Sequence, residues 1–270
     1  MKFFYDLGSD IGKRKVNNQD KLLIRIGEAE GIGEFGLFVV ADGMGGMAEG
    51  EKASEIAVEA LKHWWEQLDF KNICHPDQTS IGNDLGKQFR HINSNICHYG
   101  QERGIKLGTT LSALFIVRDT YVLCHIGDSR VYRLKSRDKQ LTQLTIDHTV
   151  VAEQVRFGKI TSEEALYHPN RNILTQCLGI RQEISPFLSW GKVEKGDIFL
   201  LCSDGLYNKV PHHCLATSIM ENMPGAADRL IRIANDNGGN DNISVIIVWN
   251  EGYKNTCSSR MWNIFKTIFR

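Results

Sequence analysis

Three things are missing from this 270-residue sequence, and each absence closes off a class of function. There is no excess of charge: Lys plus Arg and Asp plus Glu both number 32, so charge alone draws the chain to neither nucleic acid nor an anionic membrane. No apolar run approaches the roughly 18 to 20 residues that a membrane-spanning helix needs. Met1-Lys2-Phe3-Phe4-Tyr5-Asp6 meets charge too soon to read as a signal peptide, so a cytoplasmic location is expected. Nor is there a cysteine framework. The seven cysteines (Cys74, Cys97, Cys124, Cys177, Cys202, Cys214 and Cys257) are odd in number, widely spaced and without a Cys-x-x-Cys, which points away from a disulfide scaffold or a zinc ribbon. They read as buried or incidental thiols, with Cys124 and Cys202 inside apolar runs. No linker, repeat or low-complexity segment divides the first 250 residues, so one domain is expected over 1–250 and a separate tail over 251–270.

What is present suits a folded domain, because 42% hydrophobic and 24% charged residues suffice for a sizeable core. Apolar, β-branched runs mark buried strands at 36–41, 111–117, 121–126, 197–202 and 243–249. Between the first two, helical spacing places Ala53, Ile56, Ala57, Ala60, Leu61, Trp64 and Leu68 on one face, and Leu85, Phe89, Ile92, Ile96 and Tyr99 on another. A third helix follows Pro224-Gly225, turns Leu230, Ile231 and Ala234 inward, and stops at Asn237-Gly238-Gly239. Short turns join most strands while the helices come in blocks, so an α+β fold of antiparallel sheets flanked by helices is expected.

The informative residues stand at the ends of these strands. Leu37 to Ala41 runs into Asp42-Gly43, Val122 to Ile126 into Gly127-Asp128, and Ile198 to Cys202 into Ser203-Asp204-Gly205, while Asp241 lies just before Ile243. A single Asp-Gly after a strand is usually a turn, since both residues tolerate positive φ. Four such sites on neighbouring strands would crowd carboxylates at one edge, and their repulsion calls for a cation. With hard oxygen donors and no histidine or cysteine beside them, Mg²⁺ or Mn²⁺ fits better than zinc or copper.

Read together, these residues resemble a known family. Asp42-Gly43-Met44-Gly45-Gly46 is similar to the signature of bacterial type 2C metal-dependent protein phosphatases, and the family's other motifs follow in order. They are Asn18-Gln19-Asp20, Gly108-Thr109-Thr110, Gly127-Asp128-Ser129-Arg130, Asp147-His148, Ser203-Asp204-Gly205-Leu206 and Asp241-Asn242-Ile243-Ser244, spanning residues 8–249. The resemblance implies a four-layer α/β/β/α sandwich and hydrolysis of phosphoserine and phosphothreonine on proteins, opposing a serine/threonine kinase. It implies that Asp42 bridges two Mn²⁺ or Mg²⁺ ions, with the Gly43 carbonyl on one and Asp204 and Asp241 on the other. It also implies that Asp20 orients metal-held waters and that Asp128 joins Asp204 at a third, weaker ion. Water activated between the two metals would then attack phosphorus directly.

This sequence departs from the family pattern in three places. Lys15, beside Arg14, stands where the family carries the arginine that binds substrate phosphate; lysine keeps the charge and loses the bidentate fork. Gln19 replaces a common glutamate. Met44 replaces the histidine thought to protonate the leaving group in eukaryotic members, so a water would serve there. Residues 150–167 correspond to the flap beside the active site, and Thr161-Ser162-Glu163-Glu164 has capping-box spacing. Asp147-His148 and His168 are candidates for orienting groups near the site.

The tail lies outside the resemblance. Its Trp262, Ile264, Phe265, Ile268 and Phe269, with Arg260, Lys266 and Arg270, would give a helix an apolar face with a basic flank, suited to a membrane surface or to packing on the domain. Two other readings are weaker. A metal-free binding module would lack the aspartates, and nucleotide binding by the glycines at 43, 45, 46 and 50 lacks the Gly-Lys-Ser/Thr that grips phosphate. A small phosphorylated metabolite in place of a phosphoprotein keeps the chemistry and changes the substrate.

Overall fold

The structure is a computed structural model that describes residues 1–44, 49–68, 78–135, 137–221, 223 and 225–251. Gly45, Gly46, Cys74, Cys257 and the tail over 252–270 lie outside the described residues.

Two five-stranded antiparallel sheets form the centre. One has the order β1 (Phe3–Asp10), β10 (Ile243–Asn250), β9 (Ile198–Cys202), β6 (Arg130–Leu134), β7 (Leu141–Gln143). The other runs β2 (Asp20–Ala29), β3 (Gly33–Asp42), β4 (Leu111–Val117), β5 (Thr120–Ile126), β8 (Phe187–Lys192). Helices α1 (Gly50–Glu66) and α2 (Gln78–Arg103) cover the β3 sheet. Helices α5 (Asp204–Tyr207), α6 (His212–Glu221) and α7 (Ala226–Asp236) cover the β10 sheet. Short helices α3 (Val150–Arg156) and α4 (Ser162–Tyr167) follow β7, with the Thr161–Glu164 capping box formed.

The four layers explain the unbroken apolar runs. Strands alternate their side chains between faces. Leu37, Val39 and Ala41 accordingly pack under α1 and α2, while Phe38 and Val40 pack between the sheets against Phe199, Ile246 and Val248. In β10, Ile243, Val245 and Ile247 face α5 to α7, and Ile246 and Val248 face the opposing sheet. Both faces are dry, so neither strand needs a polar alternate. The helix faces read from the sequence bury as expected, with Ala53, Ala57, Leu61, Leu85, Phe89, Ile92 and Ile96 fully enclosed. Cys124 and Cys202 are buried thiols within strands.

Helix α7 takes its N-terminal cap from another element. Its own cap residue is Gly225, with φ of 84° and no side chain, and the Ala227 N–H instead donates to Asp6 Oδ2 on β1 at 3.0 Å. Asp6→Ala is expected to cost about 1 kcal/mol, or about 2–4 °C in melting temperature. Asp6→Asn, which keeps the acceptor, should retain most of that. Equal losses in the two variants would contradict the capping role.

Candidate metal centre

The carboxylates named from the sequence gather where the strands of the two sheets end on the same side. Asp20 opens β2 and Asp42 closes β3, and the two are register partners. Asp204 begins α5 directly after β9, Asp128 follows β5, and Asp241 precedes β10. Register therefore fixes the cluster: sheet pairing that places Val40 against Leu22 and Ser112 also delivers Asp42 to Asp20.

Backbone and hydroxyl groups hold this edge rigid. The Asp42 N–H donates to Thr110 Oγ1 at 3.0 Å, and the Asp42 carbonyl accepts from the Thr110 N–H and the Thr109 hydroxyl, each at 2.9 Å. Thr110 Oγ1 lies 2.7 Å from Ser129 Oγ, tying the Asp42 corner to the Asp128 corner. Ser203 Oγ donates to Asp20 Oδ2 at 2.7 Å and accepts from the Ser244 N–H at 2.9 Å. Asn242, buried, accepts from the Gln19 N–H and donates to the Ile11 and Asn17 carbonyls, which clamps the β1–β2 loop onto the entrance of β10. At Gly43 a Cβ would sit 2.3 Å from the Gly50 carbonyl oxygen, so only glycine lets the chain pass there.

The electrostatics are those of an acidic site. Burial, followed by repulsion from Asp20, Asp204, Asp128 and Asp241, pushes Asp42 well above the ordinary carboxylate range. Burial, with repulsion from Asp128, Asp241 and Asp20, does the same to Asp204. Burial carries Asp128 up to about 7, helped by Asp147, and carries Asp20 up to about 6 against the lowering effect of the Ser203 hydroxyl. Asp20 Oδ1 is buried and has no hydrogen-bond partner, an uncommon state for a carboxylate oxygen.

These features fit hard divalent cations: crowded oxygen donors, mutual repulsion and an unsatisfied buried oxygen. Among the described residues no three His, Cys, Asp or Glu side chains are grouped tightly enough to hold one ion by themselves. Backbone oxygen and water would complete each coordination shell, as Mg²⁺ commonly requires.

The basic candidates separate. Lys15 Nζ lies 2.6 Å from Asp241 Oδ1, which also accepts from the Asn242 N–H at 2.9 Å. Burial would lower the Lys15 pKa, but the Asp241 hydrogen bond and the attraction of Asp241, Asp42 and Asp204 hold it above its ordinary value. Arg14 stands exposed on the same loop.

Asp147 and His148 act on the Asp128 corner. Arg130 Nη2 donates to Asp147 Oδ2 at 2.6 Å, and the Arg130 guanidinium lies 3.7 Å from the centre of the Tyr207 ring, whose hydroxyl donates to the Asp128 carbonyl. The His148 ring accepts the Gly127 N–H at 3.1 Å, while its backbone N–H donates to the Gly127 carbonyl at 2.8 Å. His168 closes α4, with its Nδ1 accepting from the Asn170 N–H. The supports contributed by Ser203, Thr110, Ser129 and Asn242 escaped the sequence reading of roles. Ser203, Thr110, Ser129 and Asn242 all fall inside the quoted motifs, and that adjacency was the available signal.

A pH dependence follows. An aspartate held above its ordinary 3.8 binds its proton more tightly folded than unfolded; it stabilises the fold fully below that value, and the benefit is lost as pH rises through the folded value. With Asp20 at about 6 and Asp128 at about 7, the protein in EDTA is expected to lose thermal stability between about pH 4 and pH 7. Asp128→Asn should flatten that slope. An unchanged slope in the variant would contradict the coupling.

The family model described as protein phosphatase 2C matches residues 8–242. A putative protein phosphatase 2C-type from Streptococcus pyogenes is 36% identical over 248 residues, covering 91% of this chain and 96% of that protein. The crystal structure of serine/threonine phosphatase Stp1 from Staphylococcus aureus superposes with a TM-score of 0.83 at 31% identity, covering 93% of this chain and 96% of that one. The catalytic domain of serine/threonine protein phosphatase PstP, solved in complex with two manganese ions, gives 0.75 at 34% identity, covering 91% and 97%. From its matched motifs, its two-sheet sandwich and these relatives, the chain belongs to the protein phosphatase 2C family.

Proposed function

We propose that this chain hydrolyses phosphoserine and phosphothreonine on proteins, by direct attack of water on phosphorus in the carboxylate cleft. The observation that carries the reading is the mutual repulsion of Asp42, Asp204, Asp128, Asp20 and Asp241 around an unsatisfied Asp20 oxygen. Two Mn²⁺ or Mg²⁺ ions, when bound, lower the pKa of water and neutralise phosphate charge. Asp42, the Gly43 carbonyl, Asp204 and Asp241 would hold them, Asp128 with Asp204 would hold a third, weaker ion, and Asp20 would orient water. Thr109 and Thr110 fix the Asp42 backbone, and the Ser203 hydroxyl fixes Asp20. Arg14 and Lys15, on the β1–β2 loop, would meet substrate phosphate.

No side chain is needed as a nucleophile. Cys202, next to Ser203, is fully buried and its thiol is pushed up to about 12 by burial, so it supplies no thiolate at neutral pH. Residues 1–250 constitute the catalytic unit, with 251–270 as a separate tail; phosphoproteins and a serine/threonine kinase are its partners, in the cytoplasm. Among the described residues no helix is long and apolar enough to cross a membrane.

Phosphate release from a phosphothreonine peptide, with Mn²⁺ and with EDTA, tests the reading. Release that needs Mn²⁺ and stops in EDTA is expected. Well-folded protein that binds Mn²⁺ and prefers a small phosphorylated metabolite over the peptide would overturn the substrate class.

A further inference from the structure

Lys15 reaches the metal centre by construction of its loop. The Lys13 N–H donates to the Gly239 carbonyl at 2.7 Å, and Asn242 holds the Ile11 and Asn17 carbonyls on either side. Gly12, with φ of 79°, passes so close that a Cβ would sit 2.3 Å from the Asp241 carbonyl oxygen. The loop backbone is thus pressed onto residues 239–242, and from that anchor the Lys15 side chain, 30% exposed, sets its ammonium 2.6 Å from Asp241 Oδ1. Asp241, Asp42 and Asp204 all attract it.

Asp241 Oδ1 accepts both the Lys15 ammonium and the Asn242 N–H, which uses both of its lone-pair sites, and a divalent cation on the other oxygen would meet the repulsion of the ammonium, so the two cations compete for one carboxylate. We infer that Lys15 is a tethered counter-ion that competes with the divalent cation for Asp241, so that metal loading transfers its ammonium from that carboxylate into the cleft. The inference rests on the metal-centre reading above and assigns to Lys15 a role on the metal in addition to one on phosphate. The cost to metal affinity is the fraction of molecules in which Asp241 is engaged by lysine. In return, the acidic cluster carries its own neutralising charge when no metal is bound.

The test is a calorimetric Mn²⁺ titration of the EDTA-stripped full chain, paired with melting temperatures in EDTA and at saturating Mn²⁺. Lys15→Met is expected to bind Mn²⁺ about two- to fivefold more tightly than wild type, the upper range for removing a partly exposed ion pair. It should melt lower in EDTA and close or reverse that gap at saturating Mn²⁺. Lys15→Arg keeps the charge and should bind as wild type. If wild type binds Mn²⁺ while Lys15→Met binds it equally or more weakly, or melts lower by the same margin in both conditions, the competition is overturned and the metal centre stands. If folded wild type binds no Mn²⁺, the metal-centre reading falls and this inference falls with it.

Discussion

Asp42→Asn is expected to lower hydrolysis of a phosphothreonine peptide by at least about 100-fold, the upper end of what partners of metal ligands cost when removed. The fold should survive, because the Asp42 backbone is held by Thr110 and Thr109 through groups the substitution leaves in place. Stability should move the other way. Asp42 is pushed up by burial and by four neighbouring aspartates, so replacing its carboxylate with a neutral amide relieves repulsion. In EDTA the variant is therefore expected to melt at or above wild type, while Mn²⁺ raises its melting temperature less than that of wild type. This opposition of activity and stability is the pattern of a functional site that strains its own fold. A variant that melts well below wild type in EDTA would place Asp42 among the structural residues instead.

The second large effect lies away from the cleft. Arg133 on β6 donates through Nε and Nη2 to Asp197 Oδ2, and both residues are buried, Asp197 at 1% exposure. Asp197 also accepts the Glu194 N–H at 2.7 Å, and the Arg133 guanidinium lies about 6 Å from the Tyr121 and Phe199 ring centres between the sheets. Removing one member of such a pair leaves a buried charge without its partner, which costs about 3–5 kcal/mol. Asp197→Ala is expected to lower the melting temperature by about 6–20 °C in a domain of this size. Arg133→Met combined with Asp197→Leu should recover part of that loss, since apolar packing replaces the stranded ion. A double variant no more stable than Asp197→Ala would show that the geometry of the pair, rather than its stranded charge, sets the cost. Metal dependence and turnover per folded molecule should be unchanged in either variant, because the pair touches no residue of the cleft.

The expectations from sequence succeeded where a single physical cause dominated. Strands β3, β4, β5, β9 and β10 are dry on both faces, so each appears as a largely apolar run, and α1, α2 and α7 each carry one apolar stripe. Strands β1, β2 and β8 lie at sheet edges, where half-exposed positions take polar residues and blur the period of two. β6 lies between β9 and β7 but reads as Arg-Val-Tyr-Arg-Leu, because Arg130 and Arg133 find Asp147 and Asp197 only after folding. Helix α6 begins with two histidines and carries no strong stripe, so it too was absent from the expected elements.

The site divides in the same way. Asp42, Asp128, Asp204 and Asp241 were visible because each follows or precedes a buried strand, whereas Asp20, at the start of the half-exposed β2, came only through the motif resemblance. The contact between Lys15 and Asp241 joins residues far apart in the chain and depends on the Asn242 clamp, which no local pattern encodes. The same holds for Asp6, whose service as the cap of α7 requires β1 and α7 to meet first.

The most direct test of the carboxylate cleft as a two-cation phosphatase centre is the Mn²⁺ stoichiometry of the EDTA-stripped chain, read by calorimetry beside phosphate release from the same sample. Two ions bound per chain, with release rising as they bind and both responses impaired in Asp42→Asn, is the expected result. Folded protein that takes up no Mn²⁺, or releases phosphate as fast in EDTA as in Mn²⁺, would contradict it.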